Sequence, residues 1–119
     1  MIAIKNARVF TMEDETGVLE NGTVLIKGSE ICSVGRDLEI PASAKQIDAR
    51  GNMLFPGFIE SHCHMGITEE KKGREGDDCN ESVNPLTPYL RAIDAVNPMD
   101  AAFHNAVAAG ITSAMIGPG

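Results

Sequence analysis

Two imidazole side chains lie two residues apart in the segment Ser61-His62-Cys63-His64. Successive side chains of a β-strand point to opposite faces, so on a strand His62 and His64 share one face and Cys63 faces the other way. Two nitrogen donors on a stiff strand suit zinc, nickel, copper or iron. A catalytic zinc site usually takes three protein ligands and keeps an open position for water. The pattern therefore predicts half of a metal site, although two surface or core histidines on an ordinary strand would show the same sequence pattern.

Two other side chains with the right chemistry are not predicted to be ligands. Cys63 has a thiol that could bind metal, but on a strand it faces away from both histidines, and we interpret it as a packed core residue. His104 lies off the apolar stripe of its predicted helix, which indicates a surface position.

Charged side chains fill most of residues 68–82, and Gly73 and Gly76 interrupt them. The segment is expected to be an exposed loop without a core, either a lid over a site or a solvated insertion. The glycines leave its carboxylates without a fixed geometry, so no metal role is assigned to them. Lys71 and Lys72 receive no catalytic role for the same reason. The carboxylates concerned are Asp77, Asp78 and Glu81.

Composition limits the partners and the compartment. The chain has 119 residues and a net charge of −7, with a pI near 4.8. Such a field repels phosphate backbones and anionic lipid, so neither nucleic acid nor a membrane is an expected partner. The three cysteines have no paired spacing, and the sequence shows neither a secretion signal nor a membrane span. A cytoplasmic location is therefore expected.

Residues 1–53 are predicted to form a small antiparallel β-sheet. Residues 23–27 and 30–35 are β-rich and flank Gly28-Ser29, which is the pattern of a hairpin. Residues 1–10 and 45–49 are further strand candidates, and residues 11–21 are predicted to be a solvated acidic loop.

Residues 54–119 are predicted to contain a strand, a loop, helices and a second strand. The first strand spans residues 54–64, and a short helix is expected within residues 85–96. Asn97 is expected to cap a second helix, with Pro98 in its first position and Asp100 at its positive end. Its apolar face would contain Met99, Ala102, Phe103, Ala106 and Val107. Residues 111–116 are mostly apolar and predict a strand buried on both faces, so the order fits a parallel βαβ unit.

The flanks of the two histidines carry a family resemblance. The segment "MLFPGFIESHCHMG" resembles the first barrel strand of the amidohydrolase superfamily of metal-dependent hydrolases, with Glu60 where aspartate is commoner. The segment "AVAAGITSAMIGPG" resembles the second barrel strand of that superfamily. The implied fold class is mixed α/β: residues 1–53 would be part of a β-sandwich, and residues 54–119 would begin a (β/α)8 barrel. A whole barrel needs about 250 residues, so the chain is expected to be truncated relative to such an enzyme.

The resemblance also implies a chemistry. Members hydrolyse amide-like or other C–N bonds, often cyclic, in small molecules, and His62 and His64 would bind a divalent metal. Zinc is expected first, with nickel, iron and manganese as alternatives. The remaining ligands and the proton-transferring aspartate of the family come from later strands, so no catalytic residue is assigned and the isolated chain is expected to be inactive. The imidazolonepropionase-like and dihydroorotase-like branches are resembled about equally, and the substrate stays unnamed.

A different class of function remains open. The chain could be a non-enzymatic β module whose exposed strand edges pair with another copy, since unpaired backbone groups invite such pairing. A homo-oligomer or a strand-exchanged assembly is expected in that case.

Overall fold

The computed structural model describes residues 1–119, which separate into two compact units, Met1–Pro56 and Gly57–Gly119. The sequence places a domain boundary between residues 53 and 54, and that boundary stays a prediction. The mixed α/β fold class is confirmed. The first unit contains one five-stranded sheet, in which β1 pairs with three other strands. Its strands are β1 (Ile2–Phe10), β2 (Val18–Lys27), β3 (Glu30–Gly35), β4 (Lys45–Asp48) and β5 (Met53–Leu54).

The hairpin predicted around Gly28 is confirmed, because β2 and β3 pair antiparallel on either side of it. Gly28 has a φ of 62°, a conformation that costs glycine little. The acidic loop was predicted to span residues 11–21, and the position of its end is wrong. Val18 pairs with Phe10 and Leu19 pairs with Val9, so β2 begins at Val18.

The last two strands of this sheet run parallel to β1, whereas the sequence predicted only antiparallel pairing. The chain leaves β4 through Arg50 and Gly51, both with positive φ, and continues along the same edge of β1 as β5. Asn6, with a φ of 56°, interrupts β1 between these two pairings, and its carbonyl accepts the N–H of Gly51 at 2.7 Å. The sheet is therefore mostly antiparallel, with one parallel edge.

The core of this unit lies against the central strands. Ala7, Val9 and Val24 form a buried cluster. Residues that are partly buried pack around that cluster: Leu19, Ile26, Ala49 and Leu54. The small side chains on β1 allow the neighbouring elements to approach closely, and burial of this apolar surface is the main stabilising contribution in a sheet of this size.

The second unit contains two parallel strands, β6 (Phe58–Cys63) and β7 (Ile111–Ile116), and two helices, α1 (Ala92–Ala95) and α2 (Ala101–Ala108). One strand was predicted across residues 54–64, but Leu54 belongs to β5 and β6 begins at Phe58. Pro56 explains the break, since proline lacks the N–H that a strand ladder needs. His64 follows directly after β6.

The helix predictions are only partly correct. Only Ala92–Ala95 of residues 85–96 is helical, and Leu86, Leu90 and Ile93 are exposed. The second helix begins later than predicted, because Asp100 rather than Asn97 caps it. Asn97 instead accepts the N–H of Met99 at 3.0 Å in the turn before the helix. Met99 and Val107 consequently lie in solvent rather than on the buried face. No helix has the length and apolar character needed to span a membrane.

The strand at residues 111–116 is confirmed, although it is not buried on both faces. Only Ile111 and Ile116 are half-buried, and the four residues between them are exposed. The charged segment is more ordered than predicted. It contains a 3-10 turn at Gly73–Gly76, a bridge between Thr68 and Asp77, and a buried Cys79 close to Ile67, which is 1% exposed. The expectation that no core could form there is therefore wrong.

Replacing Val24 with alanine tests the core of the first unit. Val24 is 6% exposed, and removal of its two methyl groups is expected to lower the free energy of unfolding by about 2 kcal/mol. Urea denaturation followed by circular dichroism would measure the change. The matched control is Val83→Ala, since Val83 is 90% exposed and its truncation should cost little. Equal effects of the two substitutions would contradict this description of the core.

Candidate metal centre

The structure brings the two predicted ligands together. His62 lies near the end of β6 and His64 directly follows it, with ring centroids 5.2 Å apart and ring planes at 83°. His62 is exposed and His64 is half-buried. The thiol of Cys63 between them donates to the carbonyl of Met115 on β7 at 3.3 Å, so its sulfur is engaged within the sheet. The pairing of β6 with β7 is irregular between Glu60 and Cys63, so the structure shows the proximity of the two rings rather than regular strand alternation.

A backbone carbonyl fixes the orientation of His64. Its Nδ1 lies 2.6 Å from the carbonyl oxygen of Gly117, which follows β7. A carbonyl can only accept, so Nδ1 carries the proton in the neutral ring, and the lone pair lies on Nε2. This is the arrangement that metal-binding histidines commonly show, with one nitrogen held by an outer partner and the other facing the metal.

The donor set fits a divalent metal as a half-site. With their ring centroids 5.2 Å apart, His62 and His64 are close enough that both would hold one divalent cation, and imidazole nitrogen is a donor that such cations accept. No cluster of three or more His, Cys, Asp or Glu side chains is suitably placed to hold a metal. His62 and His64 are thus a pair of donors without a third protein ligand in this chain.

The other charged candidates serve local structure. Asp77 accepts the N–H of Cys79 at 3.3 Å, and Glu81 accepts the N–H of Val83 at 2.6 Å. Backbone hydrogen bonds from Val83 and Asn84 lower the pKa of Glu81 below its usual range. His104 is exposed on α2, as predicted.

Asp100 is the residue of this region whose importance the sequence did not reveal. It was predicted only to lie near the positive end of a helix, but it is 6% exposed and its carboxylate accepts three backbone hydrogen bonds. The donors are the N–H groups of Ala102 in α2 and of Gly66 and Glu70 in the loop after His64. The local signal favours Asn97 as the cap, because Pro98 follows it directly and suits the first helical position. No local signal indicates the two bonds to Gly66 and Glu70, which lie thirty or more positions away.

The pKa of Asp100 reflects two opposing effects. Desolvation raises the pKa of the carboxyl, but hydrogen bonds from the backbone of Ala102, Gly66, Glu70 and Ala101 together lower it below its usual range. Donors that point at a carboxylate favour its charged form. Asp100 is therefore ionised at neutral pH, as a helix cap and loop anchor requires.

Comparisons with known proteins agree with this fold. No family model matches the chain. It is similar to the amidohydrolase tasK of Hapsidospora irregularis, with 30% identity over 98% of this chain and 13% of that protein. It is 40% identical to a 5′-deoxyadenosine deaminase of Methanosarcina acetivorans over 56% of this chain and 15% of that protein.

A crystal structure of an amidohydrolase from Thermotoga maritima MSB8 superposes on the whole chain. The TM-score is 0.87 at 39% identity, and the match covers 30% of that structure. The chain thus spans less than a fifth of these two curated relatives and under a third of the solved structure. The resemblance recognised in the sequence is confirmed.

Acid should weaken the second unit through Asp100. Its pKa is lower in the folded than in the unfolded chain, so its contribution is complete above the unfolded pKa of about 4 and is lost as the pH falls through the folded pKa. We expect the stability difference between the wild type and Asp100→Asn to stay constant from pH 7 to 5 and to shrink below pH 4. Urea denaturation at a series of pH values measures it, and a difference that grows on acidification would refute the assignment.

Proposed function

We propose that this chain, which is similar to amidohydrolases in sequence and fold, provides the metal-binding half-site of a hydrolase that cleaves a C–N bond in a small molecule. The observation that carries the proposal is the proximity of the His62 and His64 rings at the end of β6, with Nδ1 of His64 held by the carbonyl of Gly117. The similarity to proteins named amidohydrolase and 5′-deoxyadenosine deaminase supports a hydrolase that acts on C–N bonds.

His62 and His64 would hold a divalent metal, with zinc first and nickel, iron or manganese as alternatives. When bound, such a metal lowers the pKa of a coordinated water and polarises the carbon that water attacks. The contribution of this chain is orientation: β6 sets the spacing of the rings, and Gly117 sets the tautomer of His64.

The chain by itself is proposed to be catalytically silent. Two neutral imidazoles without a third ligand bind a metal weakly, and the neighbouring carboxylate of Glu60 accepts the backbone N–H of His62 at 2.9 Å. The complete enzyme would act on a small-molecule substrate. Neither nucleic acid nor a membrane surface suits a chain with a net charge of −7. Three free cysteines are compatible with a reducing compartment, which supports a cytoplasmic location.

Zinc titration followed by calorimetry tests the half-site. His62→Ala and His64→Ala are each expected to lower the zinc affinity by about tenfold or more, because each removes one of two donors. His104→Ala is the matched control, since His104 is exposed on α2 and takes no part in the pair. An unchanged affinity in both single variants would refute the site.

The same samples test catalytic silence. With stoichiometric zinc we expect no turnover of hydantoin, dihydropyrimidine, imidazolone, N-acyl amino acids or 5′-deoxyadenosine. Turnover that His62→Ala abolishes would show that two histidines suffice, and would overturn this part of the proposal.

A second candidate function is self-association through strand edges. The sheet of the second unit has only two strands, and Ile59 on β6 is 77% exposed. β3 forms an edge of the other sheet and is exposed along nearly its whole length. Exposed strand edges with apolar side chains favour pairing with another strand, and a second copy of the chain offers the same edges.

Light scattering at micromolar concentration tests this candidate. A mass above the 12.7 kDa of one chain is expected, and Ile59→Lys should shift the population toward the monomer by placing a charge on the strand. Val83→Lys is the control, because Val83 is exposed outside the strands. A sharp monomer peak with a cooperative melt would count against self-association.

A further inference from the structure

The loop that follows His64 is a tight turn. The carbonyl of His64 accepts the N–H of Ile67 at 3.0 Å and that of Thr68 at 2.8 Å. Gly66, inside the turn, has a φ of 75°, which side chains other than glycine rarely adopt. The backbone position of His64 is thus coupled to the conformation of residues 65–68.

Asp100 holds this turn from the other side. Its Oδ2 accepts the N–H of Gly66 at 3.0 Å, and its Oδ1 accepts the N–H of Glu70 at 3.1 Å. The same Oδ1 also caps α2 by accepting the N–H of Ala102 at 3.2 Å. One buried carboxylate therefore joins the loop after β6 to the start of the helix that leads into β7.

Further contacts join the same two segments. The N–H of Asn97 donates to the carbonyl of Gly66 at 2.8 Å, and its side-chain amide donates to Glu69 at 2.6 Å. A Cβ on Gly66 would lie 2.9 Å from the ring of Phe103, so only glycine lets α2 approach this closely. The turn is consequently packed against α2 as well as hydrogen-bonded to it.

We propose that Asp100 is a positioning residue for the His62/His64 pair: by fixing the turn after His64, its carboxylate keeps Nδ1 of His64 on the carbonyl of Gly117. The inference rests on the proposed metal role of the two histidines. His64 is anchored at its ring by Gly117 and at its backbone by the turn, and loosening the turn frees the ring to rotate away from the carbonyl. Outer partners of this kind typically change metal affinity by about 10–100-fold when removed.

Asp100→Asn separates positioning from simple helix capping. Asparagine is as good an N-cap as aspartate, so the bond to Ala102 can persist. Its amide nitrogen cannot accept, so the bond from Gly66 is lost if Oδ1 keeps its partners. Asp100→Ser, which also caps helices but has a single oxygen, provides a second variant with the same logic if the first does not fold.

The experiment has two readouts, taken well below the melting temperature. The first is the 15N NMR spectrum of the metal-free His64 ring at pH 8, where Nδ1–H dominates in the wild type and a mixture of tautomers is expected in Asp100→Asn. The second is the zinc affinity, which should fall about tenfold. Asp48→Asn is the matched control, since Asp48 also accepts a backbone N–H, from Arg50, but lies in the other unit.

The outcomes distinguish this inference from the proposed function. If Asp100→Asn lowers the melting temperature but leaves the His64 tautomer and the zinc affinity unchanged, the positioning role is overturned. Asp100 is then a helix cap only. If the wild type binds no zinc but Asp100→Asn still disturbs the tautomer, the metal function fails while the positioning role stands.

Discussion

The second unit depends on the parallel pairing of β6 with β7. This pairing places Cys63 opposite Ile116 and brings the residues that follow the two strands to the same edge of the sheet. Only there can Nδ1 of His64 reach the carbonyl of Gly117, which lies 53 positions later in the chain. The parallel direction requires a long connection, and the segment that supplies it also contains the helix whose cap, Asp100, returns to the loop after β6.

The elements that the sequence predicted well are those with local signals. The hairpin at Gly28 follows from a glycine between two β-rich runs, and the end of α2 follows from Gly110, which has a φ of 90°. The proximity of the His62 and His64 rings is also a local expectation, since side chains two residues apart on a strand share a face, and their role as metal ligands stays a prediction. For the hairpin, the end of α2 and the proximity of the two rings, the sequence signal lies within a few residues and does not depend on contacts with distant parts of the chain.

The predictions that were wrong concern choices that only distant partners decide. Asn97 and Asp100 are both good caps, and Asp100 caps the helix because its carboxylate is also bonded to Gly66 and Glu70. The parallel direction of β4 depends on the position of β1, and no sequence pattern within residues 45–49 indicates that position. The exposure of β7 is a similar case: its apolar run predicts a strand buried on both faces, but burial depends on elements packed against those faces, and only Ile111 and Ile116 are half-buried.

The two histidines are unequal partners for a metal. Binding must restrict the rotation of an exposed side chain, and ordering one imidazole costs on the order of 1 kcal/mol. For His64 the hydrogen bond to Gly117 already restricts the ring in the free chain, whereas His62 is exposed and its own backbone N–H donates to Glu60 at 2.9 Å without constraining the ring. Of the two rings, that of His64 is therefore preorganised. The turn that follows His64 is the one bonded to the buried carboxylate of Asp100. A charged group so buried is costly to desolvate, and the three backbone N–H groups that donate to it offset that cost in the loop next to His64.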